Sequence, residues 1–339
     1  MIAFRMFRVA IIALLASSAM MLILSCASSS PTTPKLILWE HPLVGKIWDV
    51  HQKKFIDQVA LVTQVVDSEY LLLGERHDNL VHHQHQAEMI RQMAKAQRKA
   101  SVAFEMIDNY QGARIARHEV KSVDQLISIL NLSKTGWKYE QRYKDLFTEV
   151  MAAGFRIDSA NLNRKRLMHT VMSGEENLPA IYKDMLEQTP LTSEQMAILQ
   201  EEINQSHCNM LDENTARKMT LGQRVRDIIM AQSLLNSNEP SKVLIAGTGH
   251  VLNDRAVPMY LRKNLAQQAK SPKILTIGFT EVDADVVNVG AYAKRWSSES
   301  LPFDIVWFTP QVKRERNQCD NLRKHFNKSH KKDSSVKTK

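Results

Sequence analysis

Tyr70-Leu71-Leu72-Leu73-Gly74-Glu75-Arg76-His77-Asp78 and Val243-Leu244-Ile245-Ala246-Gly247-Thr248-Gly249-His250-Val251 share one design about 170 residues apart. Each is a short apolar run that reaches a glycine and then delivers a histidine. Runs of that length, bounded by turn residues, read as strands buried on both faces, as parallel sheets require. Ligands of open α/β sheets bind beyond the carboxyl ends of the strands. Glu75, His77 and His250 therefore point to one shared site.

Working outward, further strand-like segments recur at Ser101–Glu105, Phe155–Ser159, Lys273–Gly278 and Asp304–Phe308, with Lys46–Val50 as an additional edge strand. Between them lie amphipathic patterns, such as Phe55–Val65 and His82–Ala96, with apolar residues at helical spacing. Strands alternating with helices predict an α/β fold with a mainly parallel sheet flanked by helices. Residues 164–236 hold no convincing strand and predict a helical cap inserted between two strands. Tyr110–Val150, also mainly helical, supplies a second wall. The strand ends offer Glu75 and His77, then Glu105, then Asp158 and Asn161, then His250. His77, His82, His83 and His85 could bind metal, but they lack the His-Glu-x-x-His spacing of zinc hydrolases. A hydrogen-bonded or solvated first helical turn accounts for them equally well. Gly247-Thr248-Gly249 lacks the third glycine of a dinucleotide fingerprint.

The N-terminus reads as a processing signal over residues 1–25. Arg5 and Arg8 precede an apolar run, Val9–Leu24, and then Ser25-Cys26. Ile23-Leu24-Ser25-Cys26 resembles a bacterial lipobox with Cys26 as the lipidated residue, and Ala27 after it, where an aspartate is absent, resembles the pattern of proteins held at the periplasmic face of the outer membrane. Residues 26–40 form a Ser/Thr/Pro-rich tether, 41–310 the α/β body and 311–339 a basic tail predicted to be disordered. Of the net charge of +9, the leader carries +2 and the tail +7, so the body is near neutral. Basic residues are not interleaved with aromatics across the body, which argues against nucleic-acid binding. Cys208 and Cys319 remain for one disulfide, which spacing alone does not decide.

Several blocks together resemble the ChaN-like haem-binding lipoproteins. They are Gly74-Glu75-Arg76-His77-Asp78-Asn79 with His82-His83, Phe104-Glu105-Met106, and Trp137 with Tyr143. Asn161-Leu162-Asn163-Arg164, His207-Cys208, Gln223 with Asp227 and Met230-Ala231, Gly247-Thr248-Gly249-His250-Val251, and Val257-Pro258 continue the series in the same order. The resemblance spans most of Lys46–Phe279, departs around Met172–Glu194 and stops before the last strands. It implies haem binding linked to iron acquisition, with an uptake receptor as an expected partner, and a flat, two-faced ligand on a shallow surface would favour a homodimer. Haem iron takes His, Tyr, Cys or Met as axial ligand. The candidates are His207, Tyr143, His77 and His250, with Arg164, Lys165 and Arg166 facing the propionates. The methionines of the helical region read first as adaptable core. A wider superfamily, holding erythromycin esterases and the Tiki/TraB proteins, associates the Gly-Glu-x-His and Gly-x-x-His blocks with catalysis. The alternative reading is therefore a hydrolase, with Glu75 or Glu105 as general base and His77 and His250 orienting water or holding a divalent metal.

Overall fold

A computed structural model describes residues 35–135, 137, 140–314, 319, 320 and 323. The leader, Cys26 and most of the basic tail lie outside the described residues. In chain order the elements begin with β1 (Leu36–Ile37), β2 (Ile47–Asp49), β3 (Lys54–Ile56), α1 (Gln58–Asp67), β4 (Tyr70–Glu75), α2 (Leu80–Lys95) and β5 (Ala100–Asp108). There follow α3 (Asn109–Ala116), α4 (Val123–Leu130), α5 (Lys144–Ala152), β6 (Arg156–Asn161), α6 (Arg164–Met172), α7 (Ala180–Gln188), α8 (Ser193–Ser206) and α9 (Glu213–Leu235). The chain closes with β7 (Ser241–Gly247), α10 (Val257–Gln267), β8 (Ile274–Glu281), β9 (Ile305–Thr309) and β10 (Gln311–Val312).

Eight strands form one sheet in the order β3-β2-β9-β8-β4-β7-β5-β6, and the six from β9 to β6 are mutually parallel. Because side chains alternate along a strand, β4 feeds two cores. Leu71 and Leu73 pack with Met89, Ile90 and Phe147 on one face, while Leu72 packs with Ile228, Leu234 and Leu261 on the other. Each fully buried leucine contributes roughly 1.5–3 kcal/mol. Burial on both faces explains why these strands read as unbroken apolar runs. The order also sets the site, since β7 inserts between β4 and β5 and brings three strand ends side by side.

The insertion 164–236 is helical throughout its regular elements, from α6 to α9. Two strand readings change. Lys46–Val50 contains β2, which lies inside the sheet because β3 takes the edge. Phe55 belongs to β3 rather than to the following helix, which starts at Gln58 because the Asp57 carboxylate caps the Ala60 N–H. The start of the tail is also structured. Gln311–Val312 pairs with Leu36–Ile37, Arg314 makes ion pairs with Asp78 and Glu281, and Cys319 is bonded to Cys208.

Candidate functional site

The β4 end carries Glu75 into a buried position, 2% exposed. Gly74 precedes it because a Cβ there would lie 2.2 Å from the Val251 side chain and 3.1 Å from the Thr248 backbone. Glu75 Oε1 accepts from His77 Nδ1 at 2.8 Å and from the Tyr143 hydroxyl at 2.5 Å. Its Oε2 lies 3.3 Å from His83 Nε2, out of line for a hydrogen bond. Burial pushes the Glu75 carboxyl up, but the facing His83 and His77 outweigh it and hold the group well below the usual carboxylate range. Glu75 is therefore a charge held in place, not a proton donor.

Glu105, on β5, is the second buried carboxylate. Its Oε2 accepts from the Gly247 N–H at 2.7 Å, and its Oε1 pairs with Arg226. His77 Nε2 and His250 Nε2 each stand 3.6 Å from it. Against the upward push of burial, Arg226 and the two imidazoles keep Glu105 well below its ordinary range. His250, in a single turn after β7, faces Asp227 through Nδ1 at 2.5 Å, and Gln223 Nε2 lies 3.1 Å from that nitrogen. Burial lowers both His77 and His250, yet the carboxylates, Glu105 foremost, raise each above its ordinary value. Burial also pushes Asp227 up, against the pull of His250. A chain of alternating carboxylates and imidazoles thus floors the sheet end. Its most accessible member is His77, 36% exposed and edge-on to Trp137 at 4.7 Å between ring centres.

Of the six strand-end residues read from the sequence, Glu75, His77, Glu105 and His250 meet here. Asp158 does not, because β6 runs on to Asn161 and leaves Asp158 mid-strand, paired with Arg156. Asn161 does arrive, donating to the Glu105 carbonyl at 3.1 Å. The histidines of α2 are structural rather than solvated, with His82 and His83 buried and His85 partly so. His82 accepts from the Arg76 N–H and bonds Thr309, while His83 stacks on Tyr143 and reaches the Arg142 carbonyl. His85 stacks on Trp307. Sequence reasoning missed Arg226, although Gln223, Arg226 and Asp227 share one face of α9 at helical spacing.

Two cavities flank this floor. The larger, about 800 Å³, opens between the β5 and β6 ends and the cap, with Trp137, Leu162, Leu167, Met168, Val171 and Met219 among its apolar walls. Lys134, Arg164, Lys165 and Arg226 also line it. The smaller, about 580 Å³, is bounded by His77, Thr248, Phe279, Glu281, Trp296 and Ser206. Tyr143 lines neither and is only 1% exposed, and burial together with Glu75 pushes its phenol well above the ordinary value. A tyrosinate ligand is therefore disfavoured at that position. His207 caps α8 with Nδ1 2.8 Å from the Ile203 carbonyl, next in the chain to Ser206 of the smaller cavity, and lines neither cavity.

A family model described as haem-binding uptake, Tiki superfamily, ChaN, matches residues 61–261. The chain belongs to this family. It is also similar to the ChaN of Campylobacter jejuni, a protein with cofacial haem binding, at 20% identity and a TM-score of 0.61. That likeness covers 77% of this chain and 95% of that one, and it shows the fold. The erythromycin esterase EreC aligns over 80% of this chain and 98% of its own, at 10% identity and a TM-score of 0.42. No curated protein matches. The larger cavity combines apolar walls with the exposed cations Lys134, Arg164 and Lys165.

Proposed function

We propose that this chain is a lipid-anchored, haem-binding protein of the cell envelope that contributes to iron acquisition, and that the haem occupies the larger cavity. The observation that carries the reading is the cavity itself. Ligand pockets of roughly 300–1,000 Å³ with apolar walls and a few convergent polar groups suit small ligands and cofactors, and this one lies on the cap side of the strand ends. The Cys208–Cys319 disulfide fits an oxidising compartment, in keeping with the lipobox-like Ile23-Leu24-Ser25-Cys26. Hemin titration of the chain, followed by Soret absorbance, tests the reading. Saturation at low micromolar hemin, weakened in Met168→Asp, is expected, and non-saturating uptake refutes it.

A second reading has its own observation. His250 is oriented by Asp227, and Glu105 stands between His250 and His77. Such an array suits general-base hydrolysis of an ester or amide. Under this reading His250→Asn abolishes turnover of activated esters while hemin binding survives. Wild-type protein that turns over no ester, with or without added divalent metal, refutes it.

A further inference from the structure

Both segments that leave the α/β body do so at one end of the sheet. β9 runs parallel to β8, and its last residue, Thr309, stands level with Glu281 at the carboxyl end of the strands. β10 follows after a single residue and pairs with β1, Leu36 against Val312, so the chain enters the body at the same end. Side chains fasten this corner. Asn79 donates to the Pro310 carbonyl, the Val312 N–H donates to Glu281, and Arg314 spans Asp78 and Glu281. Cys319 is then bonded to Cys208, two residues after Ser206 in the chain. Asp78, Glu281 and Ser206 all line the smaller cavity, so entry and exit are both tied to its rim.

What lies beyond these points is read from the sequence. Nine residues separate Cys26 from Leu36, and a chain of that length reaches about 35 Å at most. Beyond Cys319 stand seven Lys and Arg residues against Asp320 and Asp333. Clusters of basic residues beside a membrane anchor are drawn to anionic headgroups. The body does not supply that attraction, because Glu40 and Asp285 are exposed at this end. It does supply two exposed apolar side chains, Trp39 in the turn from β1 to β2 and Val287 in the loop that leaves β8. Indole rings settle at the headgroup level of bilayers. The tether alone would not orient the body, since its reach exceeds the height of the sheet, roughly 25 Å for the eight residues of β8. A second attachment at the same end does.

We propose that the carboxyl end of the sheet is the membrane-facing end of this protein, docked on anionic phospholipid by the lipid tether that enters at Leu36 and the basic segment that leaves at Cys319, with Trp39 and Val287 at the interface. The inference rests on the anchored reading above and adds an orientation to it. The smaller cavity and His77 then open toward the bilayer surface, while the amino ends of the strands face away. The Cys208–Cys319 bond serves this arrangement by fixing where the basic segment departs.

The test places a fluorescent maleimide on Val287→Cys or, separately, on Ser271→Cys in the full lipidated chain. Both positions are exposed, and with Cys208 bonded to Cys319 and Cys26 acylated the added thiol is the one labelled. Far-ultraviolet circular dichroism verifies the fold of each variant. The protein is reconstituted in vesicles of phosphatidylethanolamine and phosphatidylglycerol that carry a headgroup acceptor, and energy transfer is read. Because the eight residues of β8 set the two positions roughly 25 Å apart in height, transfer from Val287→Cys is expected to exceed that from Ser271→Cys about twofold or more. Exchanging the seven Lys and Arg residues after Cys319 for Gln, or replacing phosphatidylglycerol by phosphatidylcholine, should at least halve that excess. Salt at about 1 M, where the screening length falls to about 3 Å, should do the same. Equal transfer from the two positions in the otherwise native chain, or more from Ser271→Cys, would overturn the orientation. A tail variant that keeps the full excess would overturn the inference too, leaving a protein as the partner of the basic segment. A Cys26 without acyl chains in the mass spectrum of the purified protein would instead overturn the anchored reading itself.

Discussion

Replacing Arg226 by Met removes the main cation facing Glu105, a carboxylate only 3% exposed. Methionine keeps the aliphatic stem of the side chain, so the loss is chiefly of charge. His77 and His250 remain, but each stands 3.6 Å away, and the Gly247 N–H is the one direct donor left. Breaking a buried ion pair from one side costs about 3–5 kcal/mol. The two imidazoles offset part of that, which sets the expectation at the lower end, about 3 kcal/mol at pH 7. The sign of the pH dependence follows from the depressed carboxyl. In the native protein Glu105 titrates below the unfolded value of about 4.3, so its stabilisation is complete at pH 7 and is lost as pH falls through and below that value. Without Arg226 burial is less opposed and the Glu105 pKa rises. The variant then takes up a proton in the native state, and its deficit relative to wild type narrows as pH falls from 7 to 5. Urea denaturation at both pH values measures this, with Arg226→Met/Glu105→Gln completing a double-mutant cycle and recovering most of the loss. A deficit under 1 kcal/mol at pH 7, or one that widens on acidification, would show that Glu105 is not held as a buried charge.

Three further outcomes follow from the same geometry. Gly74→Ala must displace the Val251 side chain and crowd the Thr248 backbone, and overpacking of this kind costs about 1–3 kcal/mol, read as a lower urea midpoint. Tyr143→Phe removes a hydrogen bond to an ionised carboxylate and should cost about 1.5–3 kcal/mol; hemin affinity should not change, and a lost Soret shift would restore Tyr143 as a candidate ligand. Cys208→Ser with Cys319→Ser releases a bridge across 111 residues, for which loop-closure entropy predicts up to about 4.7 kcal/mol. An unchanged urea midpoint in oxidised and reduced protein would mean that the bridge does not constrain the unfolded chain.

The parts of this molecule that are legible in the sequence are those where one physical constraint dominates. Burial on both faces forces β4, β5 and β7 to be continuous apolar runs, so the pattern of residues alone places their ends together, and with them Glu75, Glu105 and His250. The same logic fails at the sheet margin. There β2 and β3 are three residues each and only partly buried, and Phe55 fits a helix period as well as a strand. What decides that boundary is Asp57, a single capping carboxylate. The site's fourth side is hidden for another reason. Gln223, Arg226 and Asp227 sit on a long helix whose polar residues look solvated in sequence, and only the packing of α9 over the β5 and β6 ends turns them inward. The α2 histidines err in the opposite direction. His83 reads as the polar start of a helix, yet it backs Glu75 from beneath. A buried carboxylate needs partners on every side, so the residues around it must be polar wherever the fold is most closed. Hydropathy patterns therefore lose the site at the point where its charges are most deeply held.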